Sequence, residues 1–257
     1  MKKYTINIAQ KLKRKKSDFV LLLLLAVVLL TACKKEKTEE NDGELNVKSK
    51  IVSSKEAVTG SGILSKKEIE LADQVYSFTA EDISVSSGTL KIYISEASKA
   101  SVIEADDNVL EDFSLEVDEN GKTIILKADS KKTYKNLNCT VTVCAAVDYI
   151  TAGGVSDISY TAFSEGNIRI TAKQAAKVEA AGVCTRAEYD ISGASVLNAF
   201  ELKAEQVQIR AEGSSEANVY AEASIKIEAL KASTVNYSGA PKTVEDYADS
   251  TASIQKK

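Results

Sequence analysis

From Val58 onward, apolar and polar residues alternate in short runs, with little of the 3.6-residue period of a helix. Leu90, Ile92 and Ile94 alternate with Lys91, Tyr93 and Ser95, and the pattern returns at 140–143, 168–170, 207–209 and 225–227. Each run predicts a strand with one apolar face. The clearest hairpin runs from Phe113 to Ala128 around Asn120-Gly121, a pair that favours a two-residue type I′ loop because both residues tolerate positive φ. That register sets Glu119 against Lys122, Val117 against Ile124, Leu115 against Leu126 and Phe113 against Ala128. Charges then meet at the tip and apolar residues behind it, so register and burial agree.

The second half carries an irregular repeat. Gly153 precedes Tyr160 by seven residues, and the same interval separates Gly182 from Tyr189, Gly193 from Phe200 and Gly213 from Tyr220. A shorter copy ends at Val235-Asn236-Tyr237. Glycine suits corners that need positive φ, and the alanines and serines beside it (Ala180, Ala181, Ser192, Ala194, Ser195, Ser214, Ser215) suit close stacking. Short strands joined by tight small-residue corners predict an all-β fold, an irregular single-chain β-solenoid (β-helix-like) with an N-terminal hairpin region. An ordinary β-sandwich is the alternative.

The N-terminus departs from this pattern. A basic stretch ends at Lys16, and an apolar run fills 19–30. Twelve helical residues rise about 18 Å, short of a hydrocarbon core of roughly 30 Å, so the run predicts a secretory signal rather than a permanent span. It closes on Leu30-Thr31-Ala32-Cys33, which resembles the lipobox of bacterial lipoproteins. That resemblance implies lipidation of the Cys33 sulfur and cleavage before it; an uncleaved anchor with an incidental cysteine is the alternative. Lys34-Lys35-Glu36-Lys37-Thr38-Glu39-Glu40-Asn41-Asp42-Gly43 follows with nothing to bury, which predicts a flexible tether. Its acidic residues resemble surface-export signals of some Bacteroidetes lipoproteins, although Lys34-Lys35 departs from the acidic pattern.

Charge sharpens the picture. The chain carries 33 basic and 37 acidic residues, of which seven basic and one acidic fall in 1–32. From Cys33 onward 26 face 36, a net of −10. Such a balance disfavours binding to a phosphate backbone, so no nucleic-acid partner is expected. The chain has no histidine and no tryptophan. This excludes Ser-His-Asp and Cys-His catalysis and His-ligated metal, and it weakens a sugar-stacking platform.

Thr59-Gly60-Ser61-Gly62, then Glu104-Ala105-Asp106-Asp107-Asn108, the corners at Gly153, Gly182, Gly193 and Gly213, and Tyr237-Ser238-Gly239-Ala240-Pro241 together resemble the head GIN domain of auto-transporter adhesins. Where that family shows repeated Gly-Ser-Gly, this chain has Gly153-Gly154, Gly182-Val183 and Gly213-Ser214. The resemblance implies a β-helical protein, lipid-anchored or secreted, with a binding role and no established catalysis.

Other chemistry is weighed residue by residue. Cys139, Cys144 and Cys184 remain once Cys33 is lipidated; Cys144–Cys184 is a conceivable pair, and buried free thiols are the simpler reading. Glu104, Asp106 and Asp107 suit either a solvated turn or calcium, without a spaced calcium loop. Asp157, Glu188 and Asp190 suit solvent-facing charges, a glycosidase carboxylate pair being the alternative. Alternation groups Tyr160 with Ile158, Tyr189 with Ile191 and Tyr237 with Val235 on the inside, and Tyr220 with Glu216 and Asn218 outside.

The expected organisation is therefore a lipoprotein signal peptide over 1–32, a tether over 33–58, a head GIN-like β-solenoid over 59–241 and a polar tail over 242–257. The expected function is a lipid-anchored binding or adhesion module of the cell envelope, at the outer membrane, with no cofactor, metal or catalytic residue. Its partners are the membrane, through Cys33, and surface glycans or envelope proteins. A structural scaffold for other envelope proteins is the second reading, and a carbohydrate-active β-helix enzyme the third.

Overall fold

The computed structural model describes residues 54–162 and 166–257. Cys33, the signal peptide and most of the tether lie outside the described residues. The first strands are β1 (Glu56–Thr59), β2 (Leu64–Ile69), β3 (Val75–Ala80), β4 (Gly88–Ile94), β5 (Ser101–Asp106), β6 (Ser114–Val117) and β7 (Thr123–Lys127). They are followed by β8 (Lys132–Lys135), β9 (Leu137–Val143), β10 (Ala146–Ala152), β11 (Asp157–Ala162) and β12 (Asn167–Ala172). Three long strands come next: β13 (Lys177–Ile191), β14 (Val196–Glu212) and β15 (Glu216–Leu230). The series ends with β16 (Thr234–Ser238), β17 (Thr243–Ala248) and β18 (Ser253–Lys256). A 3-10 turn at Leu110–Asp112 is the one helical piece among the described residues. The fold is all-β, as the alternation predicts.

Thirteen of the sixteen pairings between these strands are parallel. This count sets aside the antiparallel sandwich. In the C-terminal half the partner lies about one strand-and-return away: Val178 pairs with Leu197, Leu197 with Ala217, and Ala217 with Val235. β13 holds β11 along its first half and β12 along its second, so the sheet doubles over, barrel-like, around one core.

In-register pairing stacks like on like. One inward row runs Phe78, Ile150, Ile170, Tyr189, Ile209, Ile227, and beside it runs Ala80, Ala152, Ala172, Ile191, Ala211, Ala229. All are buried. The opposite arm stacks Ile92, Ile158, Val178, Leu197, Ala217 and Val235 in the same way, also buried. Emptying one such site, as in Ile→Ala, typically costs about 2–5 kcal/mol in a well-packed core.

One corner column explains the glycines. Asp82, Gly154, Gln174, Gly193, Gly213 and Lys231 all hold positive φ, between 61° and 83°. The backbone links this column from strand to strand: the N–H of Ala175 donates to Gly154 O at 3.0 Å, Ala194 to Gln174 O at 2.6 Å, and Ser214 to Gly193 O at 2.7 Å. A Cβ at Gly193 would lie 2.7 Å from Gln174 O. Gly182 belongs elsewhere, within β13, where a Cβ would lie 2.1 Å from Ala162 O. A second column, Ser156, Ala176, Ser195, Ser215 and Ser233, is buried just past the corner. Ser195 Oγ donates to Ala172 O and Ser233 Oγ to Ala211 O, each at 3.2 Å.

The hairpin is β6–β7, with Leu115 opposite Leu126 and Val117 opposite Ile124 as the sequence predicts. Its turn differs. Of its loop residues only Gly121 has positive φ (71°), and its N–H donates to Asp118 O at 2.9 Å. Asp118 Oδ1 also accepts the N–H groups of Lys122 (2.8 Å) and Thr123 (2.9 Å). That carboxylate closes the loop one residue earlier than a type I′ turn on Asn120-Gly121 would.

The expected segment ends also shift. Glu56–Val58, read as the end of the tether, pair with Lys132–Tyr134. The polar tail over 242–257 holds β17, paired with β15, and β18, paired with β16. Its polarity reflects an outermost position, since every residue of β17 is exposed.

Candidate functional site

Among the described residues the three cysteines, Cys139, Cys144 and Cys184, are free. Burial pushes the Cys139 thiol up to about 12, with a contribution from the Asp106 charge, and the Cys184 thiol up to about 11. Neither ionises near neutral pH, so neither is a ready nucleophile. Cys144 is half-buried and donates to Ser98 O at 2.8 Å.

The carboxylates split between structure and solvent. Asp106 is buried and accepts from the N–H of Gly62 through Oδ1 and of Asn138 through Oδ2, both at 2.8 Å. Asp107 Oδ1 accepts from Ser61 Oγ at 2.5 Å, and Asn108 joins the Ser61 N–H (3.0 Å) to Thr59 O (2.9 Å). The two polar stretches at 59–62 and 104–108 are thus one clasp, which holds the entry loop to the end of β5. Gly60 is required there, since a Cβ would lie 2.2 Å from Asp106 Oδ2. Among the described residues no three acidic or thiol groups gather as a metal site. Asp157 sits against Lys177 at the start of β13, whereas Glu188 and Asp190 lie in its second half beside β12. The structure therefore separates Asp157 from the other two.

The tyrosines follow the alternation in part. Tyr160 and Tyr189 are buried, and Tyr160 donates its hydroxyl to Val147 O at 2.6 Å. Burial raises both phenols well above their ordinary value. Tyr237 is half-buried in the core, and Tyr220 is half-buried under Lys203, whose Nζ lies 4.2 Å from the ring centroid.

A groove of about 270 Å³ opens on the outer side of β13, β14, β15 and β17. Its lining includes Arg186, Gln206, Gln208, Ser224, Lys226, Thr243 and Glu245. Arg186, Gln206, Ser224 and Thr243 occupy one in-register row, and Glu188, Gln208, Lys226 and Glu245 the next. Glu188 is held between Arg169 at 3.1 Å and Arg186 at 2.9 Å, and Arg186 also donates to Gln208 Oε1 at 3.1 Å. Arg169 in turn lies over the Tyr149 ring, 5.7 Å from its centroid. Reading the residues singly misses this surface. Superposing Arg186–Glu188 on Gln206–Gln208 and Ser224–Lys226 at the spacing of the strands would have revealed it.

No curated protein matches the sequence. Among solved structures, the fold is similar to that of a putative adhesin from Bacteroides fragilis NCTC 9343, with TM-score 0.50 and 16% identity over 78% of this chain and 100% of that one. A putative lipid binding protein from Parabacteroides distasonis ATCC 8503 aligns with TM-score 0.46 and 15% identity, covering 79% of this chain and 100% of its own. At such identity the likeness concerns the fold. The family profile described as putative auto-transporter adhesin, head GIN domain, matches residues 77–241. That span holds the strands from β3 to β16 and both walls of the core, and the chain belongs to the head GIN domain family.

Proposed function

We propose that this protein is a non-catalytic binding module of the cell envelope, anchored by lipid at Cys33 on the outer membrane. Its parallel ladder is read as an irregular β-solenoid, with each return of the chain adding one rung. The observation that carries the reading is the outer groove, where polar side chains from four neighbouring strands form open, in-register rows. Rigid strands hold such rows without the loops that a buried active site would use. The family's description as an adhesin supports the same class of role. Surface glycans or envelope proteins are the partners that polar rows of this kind suit.

The test joins anchor and binding. Cys33→Ser should move the protein from the membrane to the soluble fraction and remove the lipid mass; unchanged fractionation and mass would refute the anchor. In the same preparation, wild-type protein should retain a glycan on an array or an envelope protein in a cross-linked pull-down. Silence in both would refute the binding module.

A scaffold role is the second reading, favoured by the outer edges of β17 and β18, each of which pairs on one side only among the described residues. It predicts capture of an envelope protein with no glycan bound.

A further inference from the structure

We infer that the groove over β13, β14, β15 and β17 takes an acidic sugar unit, an inference that rests on the binding-module reading and gives its ligand a chemical class. Gln206, Ser224 and Thr243 are neighbours across three strands of one row. Adjacent strands lie about 4.8 Å apart, so the three groups span roughly 10 Å. Among the described residues none of the three spends its side chain on an internal hydrogen bond, and all line the groove. An amide and two hydroxyls supply donors and acceptors alike, which is what a run of sugar hydroxyls requires.

Charge selects among sugars. Arg169 and Arg186 share the single carboxylate of Glu188, while Lys226 reaches Glu245 only at 3.9 Å. The lining itself holds two cations, Arg186 and Lys226, against the one carboxylate of Glu245, in a chain that is net acidic from Cys33 onward. Arg186 commits Nε and Nη2 to Glu188 and Gln208, and its Nη1 edge stays open. With Nε and Nη2 committed, the Nη1 hydrogens remain, and Nη1 gives the row one charge-assisted donor for an acid group. The lining holds no aromatic ring, and orientation must come from hydrogen bonds and charge rather than stacking.

The experiment uses the full-length chain in detergent, titrated calorimetrically with trigalacturonate and with neutral maltotriose. Trigalacturonate should bind at least about tenfold more tightly, and the binding should weaken as salt screens the charge. Arg186→Gln should cost trigalacturonate about tenfold in affinity, as should the double variant Ser224→Ala/Thr243→Ala, which removes two hydroxyls. Ser159→Ala, on the other arm of the sheet, should bind as wild type. Equal affinity for the two sugars, no binding of either, or full affinity in both groove variants would overturn the assignment. If the groove variants keep the partner found on the array or in the pull-down, the binding module stands and this groove is not its site.

Discussion

Single residues fix the corners and the end of the ladder. Asp249 accepts the N–H groups of Lys231 (2.6 Å), Thr251 (2.9 Å) and Ala252 (3.1 Å), as well as the Thr251 hydroxyl at 2.9 Å. The Lys231 bond leads these causes in holding the carboxyl at about 2, below its ordinary 3.8. A depressed carboxylate stabilises the fold fully above its unfolded value, and that contribution is lost as pH falls through the folded one. Asp249→Asn should therefore flatten the acid limb of stability between about pH 4 and pH 2, read by urea unfolding across that range. An acid limb unchanged from wild type would show that the turn around Asp249 contributes nothing. Asp106 illustrates the opposite case of a group whose role the sequence conceals. It stands in an acidic run that reads as a solvated turn, yet it is buried beneath Gly62 and Asn138, more than 30 residues away on each side.

At the scale of elements, β17 and β18 end the inward rows with charge. Asp246 holds the position in register with buried Ile227 and Ile209, and Lys256 the one in register with Tyr237 and buried Val219. Charged residues at core-facing positions of an edge strand oppose pairing with another edge. Asp246→Val/Lys256→Val should convert this boundary into an apolar edge and raise the apparent mass in light scattering as concentration increases. A variant as monodisperse as wild type would contradict the role given to the two charges. The same charges hid both strands, since Asp246 and Lys256 break the alternation that Val244, Ala248 and Ile254 would otherwise show. The alternating runs elsewhere and the register of β6–β7 were legible because burial enforces a period of two. The spacing of the ladder was not. Gln174 and Lys231 occupy corner positions where glycine would announce the repeat, while Gly182 falls within a strand and interrupts the count. The groove was hidden for the same reason, because it exists only when residues about one rung apart are superposed.

Across the whole molecule the two halves close over different stretches of chain. Val178 finds Leu197 and Leu197 finds Ala217, each within about one rung, whereas Val75 pairs with Ala146, 71 residues on, and Gly88 with Leu137, 49 residues on. Closing the longest of these costs about 1 kcal/mol more in chain entropy than closing a single rung, before any contact compensates it. Local ladders also form faster than distant ones. Pulse-labelled amide exchange during refolding should find β14 and β15 protected before β3, and the reverse order would refute this. A ribosome or a translocon delivers the chain from the other end. β3 emerges early, but its partner β10 must itself dock on β12, which pairs with β13, and both arrive later. The order of assembly thus runs against the order of delivery: the N-terminal strands can pair among themselves, as β6 does with β7 and β4 with β9, but the β10 side of β3 stays open to chaperone or protease until the later strands exist.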